Sequence, residues 1–234
     1  MPYVERKREL LLRYAVFFTG MTILALGIVF SIQAHLGVSP WDVLHIGLSY
    51  TTPLTVGGAN IAAGITIVLL TVVLERRRPT VGCLINMVYI GLCIDFFFFL
   101  GWVPVFEQVW AQSLMLCIGI GMMGFGSGMY VAARCGAGPR DGLTLALGKK
   151  LGWSVRKVRT ALELTALLIG WWLGGPVFFG TLVASLAIGP VMQWSMQLWE
   201  KWIERMLGRG VAVENLDKGT LRLNDHDGFG RQVR

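Results

Sequence analysis

Two short segments of this chain place a glycine, a proline and a carboxylate at the same spacing: Gly37-Val38-Ser39-Pro40-Trp41-Asp42 and Gly136-Ala137-Gly138-Pro139-Arg140-Asp141. Each reads as the start of a helix. In the first, Ser39 suits the N-cap, Pro40 the first helical position and Asp42 the third. In the second, Gly138 stands where the serine was, so only the Asp141 carboxylate remains to cap. Two readings stay open. Each Asp satisfies the orphan N–H groups of its own short helix, or the two helix starts approach one another inside the protein and bind a cation, a proton or a solute. Helix N-termini favour anions and the carboxylates partly offset that field, so the sign of a ligand is undetermined.

Other polar residues fall inside apolar runs. Asp95 lies in Cys93-Ile94-Asp95-Phe96, where a carboxylate costs roughly 2.5–3.5 kcal/mol on insertion scales unless it functions or reaches the interface. Asn60 and Asn86 suit helix–helix hydrogen bonding as well as a pathway, and Glu163 is one turn from Arg159, the spacing of an ion pair. The candidate pathway set is Ser39, Trp41, Asp42, Asn86, Asp95, Arg134, Arg140 and Asp141, with Gly37, Pro40, Gly136 and Pro139 shaping the turns. Enzyme chemistry finds no footing. His35, His45 and His226 make no metal cluster, and no nucleophile elbow, P-loop or dinucleotide fingerprint occurs. The spacing of Cys83, Cys93, Cys117 and Cys135 matches no metal site, and they read as buried thiols. No metal, cofactor or catalytic residue is expected.

The elements that must hold these residues are membrane helices. The chain is 54% hydrophobic and 15% charged, against about 25% charged in soluble domains, and its apolar residues fall in long blocks. About 20 apolar residues cross a bilayer. Blocks of that length predict an all-α polytopic protein with six spans: Tyr14–Leu36, Thr55–Leu74, Thr80–Val103, Val109–Ala133, Ser154–Leu173 and Pro176–Trp199. The fifth carries Arg156, Lys157 and Arg159 in its first two turns, where long side chains can snorkel to the headgroups. Pro40–Tyr50 and Pro139–Lys150 are too short to cross and read as half-helices. Trp171, Trp172, Trp199 and Trp202 suit an interfacial belt. Residues 1–206 thus form a transmembrane domain and 207–234 a polar, Gly-rich cytoplasmic tail expected to be disordered.

The net charge of +7 sits in clusters between spans rather than in a nucleic-acid-binding patch. Arg6, Lys7, Arg8 and Arg13 precede the first span, Arg76, Arg77 and Arg78 follow the second, seven Lys and Arg lie within Arg134–Arg159, and Lys201, Arg205 and Arg209 follow the last. The intervening loops have none. The positive-inside rule puts both termini in the cytoplasm, with the basic loops available to anionic lipid headgroups.

A shift of 99 positions matches the sequence to itself, with 13 identities over the 55 gapless positions Gly20–Leu74, both Pro-x-Asp turns among them. The repeats cover about residues 14–103 and 109–203. Each holds three spans, so the second copy must be inverted, an arrangement common in secondary transporters.

The two turns, above all Gly136-Ala-Gly-Pro-Arg-Asp-Gly-Leu143 after Gly128-Met-Tyr-Val-Ala-Ala133, resemble the YczE/YyaS/YitT family of bacterial membrane proteins. That resemblance, over roughly Tyr14 to Trp199, implies a bacterial cytoplasmic membrane and no defined activity. The expectation is a transporter-like protein moving a small solute or ion. Its alternative is a scaffold or regulator of a partner acting through the basic loop Arg134–Arg159.

Overall fold

The computed structural model describes residues 3–76, 78–136 and 138–207, whose regular structure is eight helices: α1 (Tyr3–Gln33), α2 (Pro40–Thr51), α3 (Val56–Glu75), α4 (Val81–Leu100), α5 (Val109–Ala132), α6 (Pro139–Leu151), α7 (Val155–Trp172) and α8 (Phe179–Met206). The tail expected after Leu207 lies outside the described residues.

Hydroxyl side chains set four of the starts. Ser39, Thr55, Thr80 and Ser154 are extended, and each accepts from the backbone N–H three residues on, at Asp42, Gly58, Cys83 and Lys157. Left-handed residues Arg76, Gly101 and Gly152 close α3, α4 and α6. Two spans differ from expectation. The α1 helix starts at Tyr3, well before the apolar block, because Arg13 pairs with Glu9 at 3.0 Å and donates to the Ala133 carbonyl at 3.3 Å, bracing its basic end against α5. It stops at Gln33, where His35 (φ 54°) and Gly37 (φ 95°) turn the chain. The α8 helix runs past Trp199 to Met206, with Pro190 in its interior.

Among the described residues, five helices are long and apolar enough to cross a membrane: Lys7–Gln33, Val56–Glu75, Val81–Leu100, Val109–Ala132 and Phe179–Met206. Six were expected. The remaining segment, α7, has 18 residues and includes Arg156, Lys157, Arg159 and Glu163, which dilute its apolar character. At 12 and 13 residues, α2 and α6 extend roughly 18–20 Å at 1.5 Å per residue, short of the roughly 30 Å hydrocarbon layer.

The helices pack in two groups. α1 lies on α4 and α5, and α5 lies on α8, around Phe17, Met21, Ile94 and Ile120. α2 packs on α7 and α3, α6 on α3 and α7, around Trp41, Ile67, Leu143 and Ala166. Contact between α3 and α4 joins the groups.

The α1–α5 seam is backbone against backbone. A Cβ on Gly20 would lie 2.9 Å from the Gly126 carbonyl oxygen, and one on Gly27 would lie 2.8 Å from that of Gly119. Gly20 opposite Gly126 and Gly27 opposite Gly119 make the two helices antiparallel. On the other face of α5, Gly124 meets Val191 and Gly128 meets Met192 and Ser195 of α8. Small residues let helices approach closely where lipid offers no hydrophobic drive. Gly27→Val is therefore expected to destabilise the protein by about 1–3 kcal/mol, the usual range for overpacking. Thermal unfolding in detergent checks it, with Gly121→Ala, beside open space, as a control that should hold or raise the midpoint.

Candidate functional site

The first turn is built as its residues dictate. Ser39 Oγ receives the Asp42 N–H at 3.4 Å and donates its own proton to Asp42 Oδ2 at 2.6 Å. Asp42 is 2% exposed and faces His45, whose Nδ1 lies 3.6 Å from Asp42 Oδ1. That nitrogen makes no hydrogen bond within the described residues. Sequence reading passes over His45 except as a metal ligand, although its place three residues after Asp42 on one helix predicts the meeting.

The second turn begins at Gly138, which offers no capping side chain. Asp141 is half-buried and Arg140 exposed, and Thr144 Oγ1 donates to the Arg140 carbonyl at 2.8 Å. The glycines that precede each turn are required by conformation: Gly37 has φ 95° and lies against Thr181, while Gly136 has φ 158° and lies against Gly82.

The two turns meet. The Arg140 guanidinium carbon stands 4.9 Å from the centroid of the Trp41 ring, a cation–π contact of about 0.5–2 kcal/mol depending on its desolvation. Trp41 is 9% exposed and sits among Ile67, Leu143 and Ala166. Residues of α2 and α6, distant in sequence, thus share one junction between α3 and α7.

Of the remaining candidates, Asn86 belongs near this junction. It is 3% exposed, and its carboxamide oxygen lies 3.5 Å from the point where a side chain on Gly138 would begin. Asp95 does not belong there. Its Oδ2 accepts from Thr55 Oγ1 at 2.6 Å and its Oδ1 from the Gly57 N–H at 2.8 Å, so it caps α3 from α4. Arg134 follows α5 just ahead of the second turn, left-handed (φ 55°) and paired with Glu200 at 3.1 Å. Glu163 pairs with Arg159 at 3.2 Å.

A family of unknown function (DUF6198) matches residues 11–197. The chain belongs to this family. Among relatives, the uncharacterized membrane protein YczE of Bacillus subtilis is 40% identical over 81% of this chain and 88% of its own length. YyaS, an uncharacterized protein of the same organism, is 29% identical over 81% of this chain and 95% of its own length. An uncharacterized protein of Haemophilus influenzae is 29% identical over 79% of this chain and 83% of its own length. No solved structure matches. The family resemblance read from the two turns therefore holds, and this DUF6198 member, with its five apolar helices, is an integral membrane protein.

Because Asp95 holds two donors of another helix, Asp95→Ala is expected to lower stability by about 1.5–3 kcal/mol, the range for hydrogen bonds to charged groups. The measurement is thermal unfolding, and an unchanged midpoint would refute the capping role.

Proposed function

We propose that the protein carries a small solute or ion across the bacterial cytoplasmic membrane, both termini inside. Its pathway would run through the junction of the α2 and α6 starts. The Arg140–Trp41 contact carries this reading, because it joins two half-helices by the ends at which backbone N–H groups and charges gather. Transporters build midplane sites from such broken helices. Asp42 and Asp141 would couple to ion or solute, Arg140 would line the junction, and Ser39 and Asn86 would orient polar groups. Arg134 is assigned to the cytoplasmic mouth.

Two inverted three-helix halves are part of the proposal, α7 serving as the sixth span with its basic turns snorkelling. Several contacts support them, each reproduced under the 99-residue shift or one position from it. Gly20 meets Gly126 as Gly119 meets Gly27. Gly180 lies on the Leu36 carbonyl as Gly82 lies on that of Cys135. His35 and Arg134 are both left-handed, at φ 54° and 55°. Lys149 pairs with Glu75 at 3.6 Å, and the corresponding Tyr50 lies beside Gly174.

The basic stretch speaks less for a regulatory loop. Arg134, Lys149 and Arg159 already pair with carboxylates of this chain, though their side chains stay 46–64% exposed, and Arg140 faces Trp41, while Lys150, Arg156 and Lys157 are exposed and suit anionic lipid.

Purified protein in liposomes tests transport. Arg140→Ala, and Asp42→Asn combined with Asp141→Asn, are each expected to cut initial flux by about tenfold or more, the equivalent of roughly 1.4 kcal/mol. If no ion or metabolite moves with the unmodified protein, transport fails. Placement of the turn is tested separately. A cysteine at Val43 (0% exposed) should resist a membrane-impermeant maleimide, and one at Tyr50 (67% exposed) on the same helix should react.

A further inference from the structure

Asp42 and His45 are each 2% exposed, and Asp42 Oδ1 stands 3.6 Å from His45 Nδ1. The other carboxylate oxygen is occupied, since Ser39 Oγ donates to Oδ2 at 2.6 Å. The imidazole Nδ1 is buried without a hydrogen-bond partner among the described residues, and 3.6 Å is beyond hydrogen-bond length. A buried nitrogen left unpaired opposite a buried carboxylate oxygen is costly for both groups. The arrangement belongs to one half of the chain. Thr144 stands at the position of His45 under the 99-residue shift and turns its hydroxyl to the Arg140 carbonyl, so Asp141 has no titratable partner one turn on.

Charges on the surrounding helices are engaged elsewhere or distant. Arg140 of α6 lies over the Trp41 ring at 4.9 Å, with the half-buried Asp141 next to it in the chain. On α7 the residue against Leu44 is Gly170. Glu163 comes about two turns before it, and Arg159, Lys157 and Arg156 come earlier still. Glu75 closes the far end of α3 and pairs with Lys149, while Asp95 of α4 caps the near end. α1 and α8 approach through Ile32 and Thr181, away from their own charged ends, and His35 is exposed. Among the described residues, the ion partner of Asp42 is His45.

One proton therefore sets the charge of this site. Without it the interior holds a single uncompensated negative charge. With it on the imidazole, both ring nitrogens become donors, and Nδ1–H can close on Oδ1 as a charge-assisted hydrogen bond of about 2.7–2.9 Å. A metal ion is a poorer fit, since zinc takes about four ligands and calcium about six to eight, and no group of three His, Cys, Asp or Glu gathers among the described residues. We propose that Asp42 and His45 form a site for one proton, taken from water onto Nδ1 while Asp42 stays a carboxylate, and that this proton is the ion coupled to solute movement. The coupling rests on the transport reading. The proton site itself does not.

The test uses the full chain in nanodiscs, prepared without a histidine tag and with nitrogen-labelled histidine. Its histidines are His35, His45 and His226, so His35→Gln with His226→Gln leaves the signal of His45 alone. Followed by NMR over roughly pH 4.5–9, a range that spans ordinary histidine titration, the ring should pass from neutral to imidazolium in a one-proton step. Asp42→Asn should move that midpoint down by at least about one pH unit, which is tenfold weaker proton binding. A ring that stays neutral throughout in the folded chain, or a midpoint that Asp42→Asn leaves in place, overturns the site. The first of these needs no substitution at the pair, so it decides even if Asp42→Asn does not fold. Liposomes loaded with the pH dye pyranine separate the proton site from transport, with radiolabelled amino acids, sugars and alkali cations added outside. At least one solute should enter together with a pH change inside, and His45→Gln should slow that change by about tenfold or more. A titrating pair in a protein that moves no solute keeps the proton site and sinks transport with its coupling. Solute entry with no pH change, indifferent to His45→Gln, keeps transport and overturns the coupling.

Discussion

The backbones of α1 and α5 touch at Gly20, Gly27, Gly119 and Gly126, and much of the molecule is arranged around that seam. In a bilayer no hydrophobic force draws two apolar helices together, so close approach and dispersion must do it. Glycine at both ends of the crossing brings the axes near enough for the larger side chains on either side, Phe17, Met21 and Ile120 among them, to close over it. The rear of α5 repeats the device against α8. With α1 and α5 fixed, the left-handed bends at His35 and Arg134 set the direction in which each chain leaves its long helix, and therefore where Ser39 and Gly138 begin the short ones.

Burial of the first turn follows from local chemistry more than from packing. A carboxylate 2% exposed survives because it accepts from Ser39 and stands at a helix N-terminus, where the macrodipole favours negative charge. The second turn keeps the carboxylate and discards the hydroxyl, so that α6 starts with no capping side chain at Gly138. One backbone motif thus holds two electrostatic environments, one closed by its own side chains and one left incomplete.

Most of the helix boundaries are legible in the sequence because their cause is local. A Ser or Thr ahead of an apolar run marks the start, and Ser39, Thr55, Thr80 and Ser154 behave accordingly. The Pro-x-Asp turns are legible for the same reason. The stacking of Arg140 on Trp41 is not, since nothing near either residue encodes its partner. Asp95 is misleading in isolation: its sequence neighbours are apolar, and the donors it accepts from belong to Thr55 and Gly57, about 40 positions earlier. The depth of α7 is equally indistinct, because four charged residues in 18 place it between a span and a surface helix on composition alone.

Each short helix is covered chiefly by the opposite half of the chain, α2 by α7 and α6 by α3. Synthesis therefore delivers α2 long before its cover. About a hundred residues separate the end of α2 from the start of α7, which at roughly 5–20 residues per second is a wait of some 5–20 s. For α6 there is no wait, because α3 already stands when it emerges. The Asp42–His45 contact, three residues apart on one helix, needs no such partner, but the cover of α2 is a late event in biogenesis, and a ribosome that stalls before the seventh helix leaves a nascent chain with the Val43–Ile46 face bare.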